Sequence, residues 1–350
     1  MKRHTRLFVV TIVGLAAIIA ASLAVTGSPR SVAAQHVRSH AGKTLHGLRM
    51  EVIVKTVNSS YWTTVINGAK KAARQFGVQA LNYTGANSEA NIAGQIALME
   101  DAIAKHPDFI VLSPTSANPL DGVITKAYKA GIKMILIDSA ATTNNYQSFL
   151  ATNNHEGGCF AANALAAAIK RKTGKAAGAV AYATFLSGVG SLGQRDKGFT
   201  DCIAHFPGLH IVRHVDAGGD QATKPISIAA NTLTGVPNLV GYFADNLYTL
   251  EGALTAFKEH GANMNKISLD GFDPSTTLVT GLKQHKVDGI ILQDPYQMGY
   301  GGVAYGILAA AGLRVPKNLD TGVSVATPAN VNSPAIQGLL FPDTKRGLGF

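Results

Sequence analysis

Short runs that are apolar on consecutive residues alternate with stretches of helical periodicity, and several of those stretches stop at a glycine. Met50–Lys55 reads as a strand and Tyr61–Phe76 as a helix stopped by Gly77. Val78–Asn82, Phe109–Ser113 and Lys133–Asp138 are further strands, separated by helices over Asn87–Lys105 and Leu120–Ala130. Strands apolar on both faces need cover on both sides, and helices between them supply it. The pattern predicts parallel sheets in an α/β fold. It runs a second time after Asn153, with helices over Gly157–Lys170, Gln194–His205, Ile226–Leu233 and Thr249–His260. Strands fall at Ala179–Phe185, His210–Val215, Leu239–Ala244, Ile267–Phe272 and Val287–Leu292.

The 350 residues suffice for two such modules. The two cysteines, Cys159 and Cys202, are too few and too far apart for a zinc knuckle or a redox Cys-x-x-Cys. A formal charge of +10 suggests a nucleic-acid partner until it is located. Lys2, Arg3, Arg6 and Arg30 lie unopposed in the first 34 residues, and the other basic residues are scattered. No nucleic-acid partner is expected.

Those first residues have a basic start, an apolar run from Leu7 to about Val25, and Val32 and Ala34 at small-residue positions before Gln35. This is the order of a secretory signal, so residues 1–34 are expected to be removed and the rest to work in the periplasm. The other reading is an uncleaved anchor, because about 19 apolar residues can span a bilayer. Both place the folded part outside the cytoplasm, where disulfides persist, so Cys159 and Cys202 are expected to pair. Two separately buried thiols are the alternative.

Gly188-Val-Gly190-Ser-Leu-Gly193 is a literal Gly-x-Gly-x-x-Gly between a predicted strand and helix, with Asp216 at the end of the next strand. That context fits a dinucleotide cradle. The export signal argues against it, and glycines are also ordinary turn residues. No cofactor, metal site or catalytic residue is expected. His155-Glu156 lacks metal-ligand spacing, and Ser191 lacks a nucleophile elbow.

More telling are polar residues where strands end: Asp138, Asn246, Asp273 and Gln293, with Arg195 in the helix after the glycine loop. Ligands of open α/β sheets bind outside the carboxyl ends of the strands. Carboxylates, amides and a guanidinium match sugar hydroxyls, which both donate and accept. Tyr61 and Trp62 add aromatic faces for the C–H side of a sugar ring.

On these residues the chain resembles the periplasmic sugar-binding proteins of the ribose and galactose type, the type I substrate-binding proteins of ABC importers, from about Met50 to Asn332. The matching segments are Asn58-Ser59-Ser60-Tyr61-Trp62, Ile135-Leu-Ile-Asp138, Asn153-Asn154-x-x-Gly157-Gly158, Gln194-Arg195-x-x-Gly198-Phe199, Phe243-Ala-Asp-Asn246 and Gly271-Phe272-Asp273, with Gln293 at a domain crossing. The resemblance implies two doubly wound lobes: residues 48–153 with 294–325, and 154–293 with 326–333. It implies a hinge of three crossings near Asn153 and Asn154, Gln293 and Val325. Residues 334–350 read as a wrapping or loose tail.

The resemblance also implies a monomer that binds a monosaccharide or polyol and docks on an ABC permease. The alternative partner is a membrane receptor or histidine kinase, with the chain as its sensor module. Ser59, Tyr61, Trp62, Asp138, Arg195, Asn246, Asp273 and Gln293 are the implied ligand residues. Ser139 stands where ribose-type proteins carry arginine, and Gly219 where an aromatic ring is expected. The resemblance therefore does not extend to a double aromatic sandwich. On this reading Arg195→Ala abolishes sugar binding, measured by calorimetry, and leaves the fold intact; unchanged affinity contradicts the clamp.

Overall fold

A computed structural model of the protein describes residues 47–342. The expected export segment and the last eight residues of the expected tail lie outside the described residues. The first module runs β1 (Arg49–Thr56), α1 (Ser60–Phe76), β2 (Gln79–Ala86), α2 (Ile92–Ala104), β3 (Phe109–Leu112), α3 (Asp121–Lys129), β4 (Lys133–Ile137) and β5 (Ser148–Ala151). The second runs α4 (Asn154–Thr173), β6 (Gly178–Thr184), α5 (Gly190–Ile203), β7 (Leu209–Asp216), α6 (Lys224–Gly235), β8 (Leu239–Ala244), α7 (Leu247–Glu259), β9 (Ser268–Phe272), α8 (Thr276–Lys283) and β10 (Gly289–Leu292). The chain then passes through α9 (Pro295–Ala310), β11 (Asn318–Asp320), β12 (Ser324–Ala326) and α10 (Pro334–Leu340).

The two sheets have the same topology. One is ordered β11-β5-β4-β3-β1-β2 and the other β12-β10-β9-β8-β6-β7. The first is parallel throughout, whereas β12 runs antiparallel to β10 at the edge of the second. Each order reverses beside its first strand, β1 or β6, which opens a crevice at the carboxyl ends of the strands. Strands β3 and β10 are buried along their whole length, as runs without alternation require.

Several stretches differ from the sequence expectation, among them α8, β5, β11 and β12, which it lacks. Helix α9 was not foreseen because Gly299, Gly301, Gly302 and Gly306 read against a helix. The packing explains them: a Cβ on Gly299 would fall 1.9 Å from the Val65 carbonyl oxygen of α1, and one on Gly306 would enter the Phe109 ring. The third crossing lies between β11 and β12, at residues 321–323, so Val325 is inside the second sheet and not at a hinge. The start of the expected tail is helix α10, whose Ile336 and Leu340 are buried in the core of the second lobe.

Helices α4 and α5 cross as closely as α1 and α9 do. A Cβ on Gly158 would sit 2.1 Å from the Arg195 carbonyl oxygen, and one on Gly198 would sit 2.0 Å from that of His155. The same two helices are joined by the Cys159–Cys202 disulfide, which removes the alternative of two free thiols. The bridge closes a sequence separation of 43 residues. The double variant Cys159→Ser/Cys202→Ser is expected to lose about 2–4 kcal/mol of stability in urea unfolding, because the unfolded chain regains loop entropy. An unchanged midpoint would contradict this.

Candidate functional site

The strand ends of both lobes converge on one cavity. Its lining includes all eight residues expected from the sequence: Ser59, Tyr61, Trp62, Asp138, Arg195, Asn246, Asp273 and Gln293. It also includes Lys55, Glu89, Leu192, Leu247 and Tyr248, together with Ser191, none of which is among the residues expected to hold a ligand.

The two strand-terminal aspartates hold equivalent places. Asp138 follows β4 and Asp273 follows β9, at φ 63° and 69°. Each donates its backbone N–H to the neighbouring strand, to the Leu150 carbonyl at 2.9 Å and the Ile291 carbonyl at 3.0 Å. The left-handed turn takes the chain off the sheet edge while the side chain faces the crevice, a conformation that aspartate tolerates better than most residues.

Each aspartate is matched by a cation from elsewhere in its own lobe. Lys55, at the end of β1, places Nζ 2.9 Å from Asp138 Oδ2 and 2.7 Å from Ser139 Oγ, with its side chain only 4% exposed. Ser139 and Ser113 also donate to Asp138 Oδ2. Burial pushes the Asp138 carboxyl up, but Lys55, Arg195 and the bonds from Lys55 and Ser139 outweigh it and hold the group below the ordinary range. Ser139 is small enough to admit this lysine, so the cation stands on β1 and not beside the aspartate.

Arg195, in α5, is fixed by its own lobe. Its Nε donates to Asn154 Oδ1 at 2.8 Å, and one terminal nitrogen donates to the Asp245 carbonyl at 2.9 Å and lies 3.7 Å from Asp273 Oδ2. The guanidinium carbon is 4.1 Å from the centre of the Phe272 ring. Gln293 Nε2 donates to Asp273 Oδ1 at 2.8 Å. Burial raises the Asp273 carboxyl, with Arg195 and Gln293 opposing it. Arg195 thus organises four neighbours, so Arg195→Ala is expected to lower the melting temperature as well as remove the clamp.

Tyr61 and Trp62 stand at 82° with centroids 4.8 Å apart. The Tyr61 hydroxyl donates to Asp138 Oδ1 at 2.8 Å and is 3.4 Å from Gln293 Oε1, which joins the lobes. Burial, then Asp138, raises its pKa well above the ordinary value. The Trp62 indole N–H donates to Glu89 Oε1 at 2.9 Å, and burial raises the Glu89 carboxyl. Ser59 and Asn246 serve as N-caps of α1 and α7, accepting from Trp62 and Thr249 N–H groups. The Asn246 amide nitrogen is left for the cavity.

The expected hinge residue Asn153 caps α4, and the adjacent Asn154 reaches Arg195. The glycine run has a structural account. Asp216 accepts from the Ser187 N–H at 2.9 Å, and from the Ser187 hydroxyl and Gly218 N–H, so it pins the loop to β7. Among the described residues no cluster of histidine, cysteine or acidic side chains is arranged to hold a metal ion, and no helix is long and apolar enough to cross a membrane.

The sequence matches the periplasmic binding protein domain family over residues 50–313. The chain belongs to that family, in its ribose and galactose type. It is 26% identical to the ribose import binding protein of Bacillus subtilis over 70% of this chain and 76% of that one. A carbohydrate transporter solute-binding protein from Agrobacterium radiobacter, solved with D-arabinose, has a TM-score of 0.82 and 38% identity, covering 85% of this chain and all of that one. An ABC transporter solute-binding protein from Agrobacterium vitis with bound D-fucose has a TM-score of 0.78 and 32% identity, covering 84% of this chain and all of that one.

Behind Arg195 lie two more carboxyls. Asp245 accepts from the Phe185 N–H at 2.9 Å, and burial, then Asp196, pushes it well above the ordinary range. Asp196, bonded to the Thr184 hydroxyl, is pushed up to about 6, chiefly by burial. A raised folded-state pKa favours the folded protein below the unfolded value, and that contribution is lost as pH rises through about 6. Asp196→Asn is therefore expected to gain stability relative to the unaltered protein between pH 4 and 7, read as urea midpoints. A difference constant with pH would contradict the burial of this charge.

Proposed function

We propose that the chain captures one neutral monosaccharide of aldopentose or 6-deoxyhexose size between its lobes, outside the cytoplasm, and presents it to an ABC permease. The carrying observation is the matched pair of strand-terminal aspartates, each beside its own cation, turned into one small cavity. Lys55 and Arg195 face Asp138, Asp273 and Glu89, and the last two have raised pKa values. Two cations against three carboxylates leave at most one charge over, which favours an uncharged polyhydroxyl compound over a sugar acid or an amine. The D-arabinose and D-fucose carried by the two Agrobacterium proteins support the same size class.

In this reading the sugar does what Tyr61 and Gln293 now do. Its hydroxyls donate to Asp138 and Asp273 and accept from Lys55, the outer guanidinium nitrogen of Arg195 and the Asn246 amide. A wrong epimer leaves one of these buried groups unpaired at a cost of about 1–3 kcal/mol, the source of selectivity. Binding involves no bond making. Export by cleavage before Gln35 and delivery as a monomer belong to the same proposal.

Trp62 is the sole tryptophan and stands on the cavity wall beside Lys55, whose Nζ is 5.5 Å from its ring. Titration with D-arabinose, D-fucose, D-ribose, D-allose and neutral polyols is expected to give a saturable fluorescence change with one or two of them. No response from folded protein, in fluorescence or calorimetry, would overturn the reading.

A further inference from the structure

The loop that imitates a nucleotide cradle is where the lobes touch. The Gly188 carbonyl, on the second lobe, accepts from the Ala117 N–H at 3.3 Å and the Ser116 hydroxyl at 3.4 Å on the first. A Cβ on Gly190 would meet the Ala140 carbonyl oxygen at 3.3 Å and its nitrogen at 3.6 Å, so the two backbones pack directly. One residue later, Ser191 Oγ lies 2.9 Å from Ser139 Oγ.

That last contact has a direction. A hydroxyl has one proton to give and two lone pairs to accept with. Ser139 gives its proton to Asp138 Oδ2 at 2.8 Å and accepts from Lys55 Nζ at 2.7 Å. Ser191 is therefore the donor and Ser139 the acceptor. When the lobes close, Ser191 fills the remaining lone pair of Ser139 and completes the shell around Asp138 and Lys55. Gly219 makes a second close approach between the lobes: at φ +78° a Cβ there would come 2.7 Å from the Ala90 methyl.

We propose that Gly188–Ser191, the turn that enters α5, is the closure latch of the ligand site, with Ser191 the positioning residue through which closure sets the Lys55–Ser139–Asp138 network. Gly190 supplies the clearance and Ser191 the coupling. A branched side chain at Gly190, whose γ-carbons extend past a Cβ already in tight contact with Ala140, keeps the lobes from seating and lowers the fraction of protein competent to retain ligand. Apparent affinity falls by that fraction. The affinity part rests on the sugar-binding reading, whereas the contact itself does not.

The test has two arms. Ser139→Cys/Ser191→Cys is expected to form a disulfide under mild oxidant, separable from Cys159–Cys202 by peptide mass spectrometry, and adding Gly190→Val is expected to slow it at least about tenfold. No cross-link, or a rate indifferent to Gly190→Val, overturns the latch whatever the ligand is. In the second arm, Gly190→Val is expected to weaken sugar binding at least about tenfold, mainly through faster release. Ser191→Ala, which introduces no clash, is expected to weaken it by a smaller factor in the same direction. Unchanged affinity in both variants overturns the coupling. If the unaltered protein binds no sugar of the panel, the functional reading falls and the cross-linking arm still judges the latch.

Discussion

Two buried ion pairs, Lys55 with Asp138 and Arg195 with Asp273, set the terms for the rest of the molecule. Charges withdrawn from water are tolerated only where a partner and further hydrogen bonds replace hydration. Each pair recruits its surroundings accordingly. Ser113, Ser139 and Tyr61 serve Asp138; Gln293 serves Asp273; Asn154 and the Asp245 carbonyl hold Arg195. Many of these groups sit at a strand end or in the turn after it. The topology is thus the means of bringing them to one place: two sheets of the same order, facing each other across their carboxyl ends.

The helix crossings serve the same end. Arg195 can be an immobile donor because α5 cannot slide on α4. Reciprocal glycine contacts at Gly158 and Gly198, the Cys159–Cys202 bridge, and the stack of Phe199 on Phe243 at 4.2 Å hold it there. The expected family segment Arg195-x-x-Gly198-Phe199 is therefore one physical unit: a ligand group, the gap that lets a helix approach, and the ring that anchors it.

Much of this was legible in the sequence, and what was not has identifiable causes. Strand ends could be read because apolar runs stop abruptly at Asp138, Asn246 and Asp273. Lys55 escaped notice because it closes a strand on which a lysine looks like an exposed edge residue; only the fold reveals that Asp138 and Trp62 stand over it. Glu89 falls in the stretch read as the start of a helix at Asn87, whereas α2 begins at Ile92 and Glu89 stands in the turn before it. Helix α9 is hidden by glycines whose purpose is close packing, and β11 and β12, three residues each, are too short to carry a pattern. Gly188 lies in the turn and Gly190 and Gly193 in the first turns of α5, and the place of this run against the opposite lobe's backbone is a long-range property that local sequence does not encode.

The central claim is that Asp138, Arg195, Asn246 and Asp273 form the recognition surface for a neutral sugar held between the lobes. A crystal structure with the sugar that saturates the Trp62 signal tests it most directly. The account expects the ring inside this cavity, with hydroxyl oxygens within hydrogen-bonding distance of both aspartates and of Arg195. Sugar bound elsewhere, with the Lys55–Asp138 and Arg195–Asp273 pairs untouched, would contradict it.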